Sequence, residues 1–276
     1  MNKLNTERRV AVISALVEGC SIRSTVRMTG VAKNTVLKLL VDAGEACARY
    51  QHDTIRNLAS RRIQCDEIWS FCLMKQKNVP AERQGTLGLG DVWTWTGMCP
   101  DTKLIASWLV GARDAEHANA FIADLAGRLG HRVQLTTDGL KLYLEAVEHG
   151  FGGEVDYAQI IKTYLNDSGN SADVRYSPGD QVECRKQIIT GNPRENFIST
   201  SYIERQNLTI RMRMRRFTRL TNAFSKKIEN HGHALALHFM HYNFVRRHHT
   251  LRVTPAMAAG VSRKLWTLED LVALID

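Results

Sequence analysis

The stretch Arg61–Met74, RRIQCDEIWSFCLM, sets Ile63, Cys65, Trp69, Phe71 and Leu73 at alternate positions, the period of a strand with one face on a core. Two more strand-like runs follow, DVWTWTGM at 91–98 and KLIASWLV at 103–110, joined by a turn at Pro100-Asp101. The three predict an antiparallel unit. Asp114 then stands where a helix N-cap belongs, ahead of Phe121, Ile122, Leu125 and Leu129 on one helical face. Val133 and Leu135 open a short buried strand that ends at Asp138, with a turn at Gly139, a helix from Leu140 to His149 and a fifth strand from Val155 to Ile161. The order β-β-β-α-β-α-β with helices after it predicts an α/β fold with a mixed five-stranded sheet.

The flanks read differently. Before the sheet, Thr6 can cap a helix bearing Val10, Ile13, Leu16 and Val17, with Gly19 at its C-terminus. Ser21 can cap a short second helix ending at Thr29-Gly30, and a third carries Val36, Leu39 and Leu40 inward with Gly44 near its end. That is helix-turn-helix spacing. It places Lys33, Asn34, Thr35 and Lys38 on an outer face, where Asn can pair with adenine and Lys can reach guanine or phosphate. A plain helical bundle with a solvated face fits the same pattern. From about 163 to 200 the chain turns polar and rich in Gly, Ser, Asn and Pro, an insertion with a strand at Cys184 to Thr190.

Composition narrows the partners. The 276 residues carry 37 Lys and Arg against 28 Asp and Glu, a balance that favours a polyanion such as nucleic acid. No apolar run reaches the roughly 18 residues of a membrane span, and MNKLNTERR lacks the apolar core of a signal peptide, so a cytoplasmic location is expected. Cys20, Cys47, Cys65, Cys72, Cys99 and Cys184 form no C-x-x-C pair, which argues against a zinc ribbon and a disulfide framework. GTLGLGD precedes a strand instead of following one, so it is no dinucleotide fingerprint.

Three acids carry the candidate chemistry: Asp66, Asp138 and Glu204. Each has another reading. Strand alternation puts Glu67 on the face of Ile63 and Trp69 and so favours Asp66 over its neighbour. Asp138-Gly139 also spells an ordinary turn, and Ser201 to Glu204 spells S-x-x-E, a capping box. After Glu204 no acid occurs until Glu229, while Arg205, Arg211, Arg213, Arg215, Arg216, Arg219, Lys226 and Lys227 accumulate. Such a run suits a phosphate-backbone track, although a solvated helix face gives the same pattern. His238 and His241 share a helical face without a matched carboxylate, which favours packing over zinc.

The chain resembles the DDE-type transposases of the IS1 family, encoded by bacterial insertion sequences. The motifs carrying the likeness, in order, are SIRSTVRMTGVAKNTVLKLL, IQCDEIWSF, DVWTWTG, VQLTTDG, STSYIERQNLTIRMRMRRFTRLTNAFSKK and HYNFVRRHHTLRVTPAMAAG. The resemblance implies an RNase H-like core, with the family's catalytic and metal-binding Asp, Asp and Glu falling on Asp66, Asp138 and Glu204. It implies two Mg²⁺ or Mn²⁺ ions, Asp66 bridging both, Asp138 holding one and Glu204 the other. It further implies duplex DNA as partner, a nucleoid-associated dimer or higher oligomer on paired ends, and HYNFVRRHHTL packed near the site with Arg247 and His249 on DNA. The expected organisation is a helix-turn-helix domain at 1–50, a linker at 51–60, a catalytic domain at 61–250 and a helical segment at 251–276. One departure stands out: the cysteine zinc motif that the best-known members carry ahead of the helix-turn-helix is missing here. A DNA-binding regulator without chemistry and a nuclease that cuts without joining are the alternatives.

Overall fold

The computed structural model describes residues 4–164, 181–218 and 222–276. Six strands form one sheet in the order β3-β2-β1-β4-β5-β6: β1 Arg62–Cys72, β2 Gly90–Met98, β3 Ile105–Gly111, β4 Val133–Asp138, β5 Val155–Tyr164 and β6 Gln181–Thr190. β1, β2 and β3 are antiparallel, β4 joins β1 in parallel, β5 joins β4 in parallel, and β6 returns antiparallel to β5. The first five strands have the RNase H-like order. The sixth is the strand expected at Cys184 to Thr190 in the polar segment, and it extends the five-stranded sheet: β5 leaves an edge whose backbone groups need partners, and residues 181–190 supply them.

The helices are α1 Thr6–Val17, α2 Ile22–Thr29, α3 Lys33–Thr54, α4 Ala115–Ala126, α5 Leu142–Phe151, α6 Ser201–Arg213, α7 Ile228–Met240, α8 Pro255–Ala258 and α9 Leu268–Ala273. One face of the sheet packs on α4 and α5, where Trp95, Phe121 and Tyr143 are fully buried. The other packs on α6 and α7 through Ile68, Ile203, Ile210 and Phe239. Local signals start these helices as their sequences suggest. Ser21 accepts from the Ser24 N–H, Gly30 closes α2 at φ 66°, and Asp114 accepts from the His117 N–H. At α1 the cap is Asn5, one residue before Thr6.

The N-terminal helices share the protein's main core, with Val12, Ile13 and Leu40 in one apolar cluster with Ile63, Leu237 and Leu271. α3 runs through Thr54, so the expected boundary at 50 falls inside a helix. Residues 55–60 are a packed strap: Leu58 is buried, donates to the Arg128 carbonyl at 2.9 Å and accepts from Gly130 at 3.1 Å. Gly44 sits mid-helix rather than at an end, because α3 there meets α7 and a Cβ would come within 2.4 Å of the His233 Cβ. Nearby Gln51 Nε2 donates to the Ala236 carbonyl at 3.0 Å. Thr267 and Asp270 form a capping box on α9, whose Leu271 and Val272 are completely buried in the chain's own core.

Gly44 yields a test in which two effects oppose. Alanine would favour the helix by about 1 kcal/mol over glycine, but the clash involves the His233 backbone as well as its side chain. Gly44→Ala is therefore expected to destabilise the fold by about 1–3 kcal/mol, measured by urea unfolding. A stabilised variant would show that α3 and α7 do not touch there.

Candidate active site

The site exists because β1 outruns β4. The parallel register ends at Cys65 opposite Thr137, which sets Asp66 beside Asp138, the last residue of β4. Beyond that point β1 continues against β2 alone until Cys72 bridges Ser225, leaving an open notch between on its other side. A cleft of about 730 Å³ occupies it, lined by Asp66, Arg113, Asp138, Lys162 and Glu204 among others. Carboxylate oxygens of Asp66, Glu67 and Asp138 lie within 4.8 Å of one another. Glu67 does leave β1 on the opposite face from Asp66, as alternation requires, and it is absent from the cleft lining, yet its carboxylate stays close to both aspartates.

Glu204 faces these acids from across the cleft. Gln64, on the same face of β1 as Asp66, fixes the approach: its Oε1 accepts from the backbone N–H groups of Tyr202 and Ile203 at 3.0 and 3.1 Å, satisfying the start of α6. There is no capping box. Thr200 is the N-cap residue, and its hydroxyl donates to the Glu204 carboxylate. Glu204 also pairs with Lys162 of β5. One turn along α6, Asn207 Nδ2 donates to Asp66 Oδ2 at 2.8 Å, while the other Asp66 oxygen accepts from the Glu67 N–H at 2.9 Å. Asp138 Oδ1 accepts from the Leu140 N–H at 3.1 Å.

Crowded negative charge shapes the electrostatics. Burial, followed by the neighbouring Glu67 and Asp138, pushes the Asp66 carboxyl up to about 8. Burial also raises Asp138, against the Leu140 N–H and Arg113. Glu67 is raised by burial and by Asp138, against the opposing pull of Arg113 and Tyr143. Hard oxygen donors this close, each resisting ionisation, form a set that a divalent cation such as Mg²⁺ or Mn²⁺ fits, because the ion relieves the repulsion that holds the protons on.

The expected DNA-contacting residues divide. Lys33, Asn34, Thr35 and Lys38 are exposed along the first turns of α3, with Lys38 paired to Asp42 at 2.5 Å. Arg205, Arg215, Lys226 and Lys227 are exposed, and Arg211 is half-buried. Two of the expected track residues have structural partners instead. Arg213 pairs with Glu18 at 3.3 Å, where α6 abuts the end of α1. Arg216 points inward and donates to Ser225 Oγ at 2.8 Å. That serine also meets His231 Nδ1 at 2.8 Å, and burial pushes the imidazole down to about 3. Arg219 lies outside the described residues.

The HYNFVRRHHTL segment does not line the cleft. Asn243 bonds both ways to the backbone of Ile105 at 3.0 Å, tying the segment to the outer strand β3, and Arg247 and His249 are exposed and absent from the cleft lining. His238 and His241 are buried and held neutral by burial, down to about 3 and about 4. Another hollow, of about 460 Å³ between α3 and β3, contains Asp124 and Arg128, but these neutralise each other at 2.7 Å.

No family model matches the chain, and no curated protein matches it. Among solved structures, it is similar to a piggyBac transposase synaptic complex with hairpin DNA, at 8% identity over 99% of this chain and 71% of that one, with a TM-score of 0.45. It is also similar to the Mos1 strand transfer complex, at 12% identity over 86% of this chain and 78% of that one, with a TM-score of 0.25. At those scores neither likeness bears on function, and the reading rests on the cleft itself. Among the described residues no helix is long and apolar enough to cross a membrane.

The raised carboxyls predict a pH dependence. Unfolded Asp66 ionises near pH ~4, whereas the folded chain keeps the proton up to about pH 8. The folded state thus binds the extra proton between those values, and its stability falls as pH rises through that window. In EDTA the fall is at most ~1.4 kcal/mol per pH unit for each proton. Asp66→Asn is expected to flatten it in urea unfolding from pH 4 to 8; an identical slope in the variant would contradict the assignment.

Proposed function

We propose that the chain is a divalent-metal-dependent DNA transposase of the DDE type, similar to the IS1 family, that cuts and joins DNA at the ends of its element. The observation that supports this most is the placing of Asp66 and Asp138 side by side at the end of a parallel strand pair, with Glu204 across the same cleft. Asp66 and Asp138 would hold Mg²⁺ or Mn²⁺, with Glu204 completing a two-ion set on release from Lys162. When bound, such ions activate the attacking oxygen and stabilise the leaving oxygen at phosphorus. The chain's own part is positional. Asn207 and the Glu67 N–H aim the two Asp66 oxygens, the Leu140 N–H aims Asp138, and Gln64 holds the start of α6 so that Glu204 faces them.

DNA would run from this cleft over Arg205, Arg215, Lys226 and Lys227, while Lys33, Asn34, Thr35 and Lys38 on α3 read sequence. Joining two ends to one target needs two such sites in fixed relation, so the working species is a dimer or larger on DNA, and two-fold symmetry would match inverted ends. The face of α9 is spent on the protomer's own core and so is not the contact.

Asp66→Asn, Asp138→Asn and Glu204→Gln should each lower Mn²⁺-dependent nicking of supercoiled DNA by more than the ~100-fold typical of outer-shell changes. DNA binding in Ca²⁺ should persist. Nicking at the parental rate would remove that residue from the site, and nicking without joining of 3′ ends to target DNA would favour a nuclease.

The two DNA surfaces separate in a binding assay. Lys33→Ala or Asn34→Ala should reduce preference for the termini of the chain's own gene over random duplex. Arg215→Ala or Lys226→Ala should weaken both alike and flatten the salt dependence by about one phosphate contact. The reverse pattern would mean that the surfaces are exchanged.

A further inference from the structure

Resting on that reading, we infer that Arg113 is the cleft's phosphate-binding residue and that Glu67 is its positioning carboxylate rather than a metal ligand. Glu67 lies close enough to Asp66 and Asp138 to be counted with them, yet its oxygens are committed elsewhere. Oε1 accepts from Arg113 Nε at 2.9 Å and from Nη2 at 2.5 Å, and Oε2 accepts from the Tyr143 hydroxyl at 3.2 Å. Its side chain is 1% exposed. A cation entering from the cleft meets Asp66, Asp138 and Glu204 in the lining, and Glu67 lies behind them.

Arg113 is the opposite case. Its side chain is 39% exposed and lines the cleft beside Asp66 and Asp138. The guanidinium carries five N–H donors in a planar fork, of which Glu67 takes two. The ring of Trp93 lies beneath, with the guanidinium carbon 4.6 Å from its centroid. Anchored at one edge and supported on one face, the group is fixed before a ligand arrives, so little side-chain freedom is lost on binding. A planar fork held at the rim of a carboxylate site suits the non-bridging oxygens of a phosphodiester that also touches the metal-binding acids. Lysine keeps the charge at this position but loses the fork and the anchor.

The test uses the full chain and compares Arg113→Ala, Arg113→Lys, Glu67→Gln and Asp66→Asn, each checked for cooperative folding at the assay temperature. Three readouts are taken: Mn²⁺ binding without DNA by paramagnetic resonance, duplex binding in Ca²⁺ across a salt series, and nicking in Mn²⁺. Arg113→Ala should keep Mn²⁺ and lower the slope of log affinity against log salt by about 0.9, one phosphate contact. Arg113→Lys should keep that slope yet nick roughly 10–100-fold more slowly, the range for lost positioning. Glu67→Gln should bind Mn²⁺ as the parent does, where Asp66→Asn does not. Loss of Mn²⁺ on Glu67→Gln, an unchanged slope in Arg113→Ala, or parental nicking by Arg113→Lys would each overturn the inference. A parent chain that nicks no DNA but shows the slope change, with Mn²⁺ retained in Glu67→Gln, would remove the transposase reading and leave the Arg113 assignment standing.

Discussion

The early end of β4 is the constraint on which the site depends. Two parallel strands in register to Cys65 and Thr137 bring the next residue of each side by side, and both are aspartates. Had β4 continued, its backbone would have filled the notch. Where it stops, Asp66 and Asp138 line one cleft with Glu67 close behind them, and burial with mutual repulsion holds their protons on. That is an unfavourable arrangement for a chain alone. Structures tolerate such crowding where a function uses it, and a divalent cation is the partner these donors suit.

Around this point the sheet and helices act as a clamp. Gln64, two residues before Asp66, caps α6, and Asn207 on α6 bonds back to Asp66, so strand and helix fix each other across the cleft. The far end of α6 is fixed as well: Arg213 meets Glu18, and Gly19 lies so close to the Arg213 carbonyl that an added Cβ would stand 2.3 Å away. The end of α1 therefore braces the helix that carries Glu204. α3 is likewise joined to α7 at Gly44 and Gln51. The surface presenting Lys33 and Asn34 and the helix lining the cleft belong to one packed body.

Much of this is legible in the residues. Period-two runs mark β1 to β3, and the caps Ser21, Gly30 and Asp114 mark helix ends, because those signals are local. What sequence misses depends on tertiary contact. Gly44 reads as a helix end because glycine weakens helices, and only the approach of α7 explains it in mid-helix. Glu67 reads as facing away from Asp66, and it does, bonding to Arg113 and Tyr143; what the sequence does not show is that its carboxylate still comes within 4.8 Å of the Asp66 and Asp138 oxygens. Arg113 sits in a loop without periodicity, and Gln64 and Asn207 are neutral residues that draw no notice, although each shares a face with an acid: Gln64 two positions before Asp66 on a strand, Asn207 three after Glu204 on a helix. The basic run after Glu204 looks uniform, yet Arg213 and Arg216 are structural, since one-dimensional charge does not say which way a side chain turns. The HYNFVRRHHTL segment ties to β3 through Asn243, a pairing over a long sequence separation that its own residues do not announce.

The central claim is that the notch between Asp66 and Asp138 holds divalent cations. Crystals of the chain soaked in Mn²⁺ and measured at the manganese absorption edge test it most directly. The account predicts an anomalous peak touching Asp66 and Asp138 on the cleft side, with Glu67 still bonded to Arg113 and absent from the coordination shell. An empty notch at Mn²⁺ concentrations that support nicking, or manganese bound only elsewhere on the chain, would contradict it.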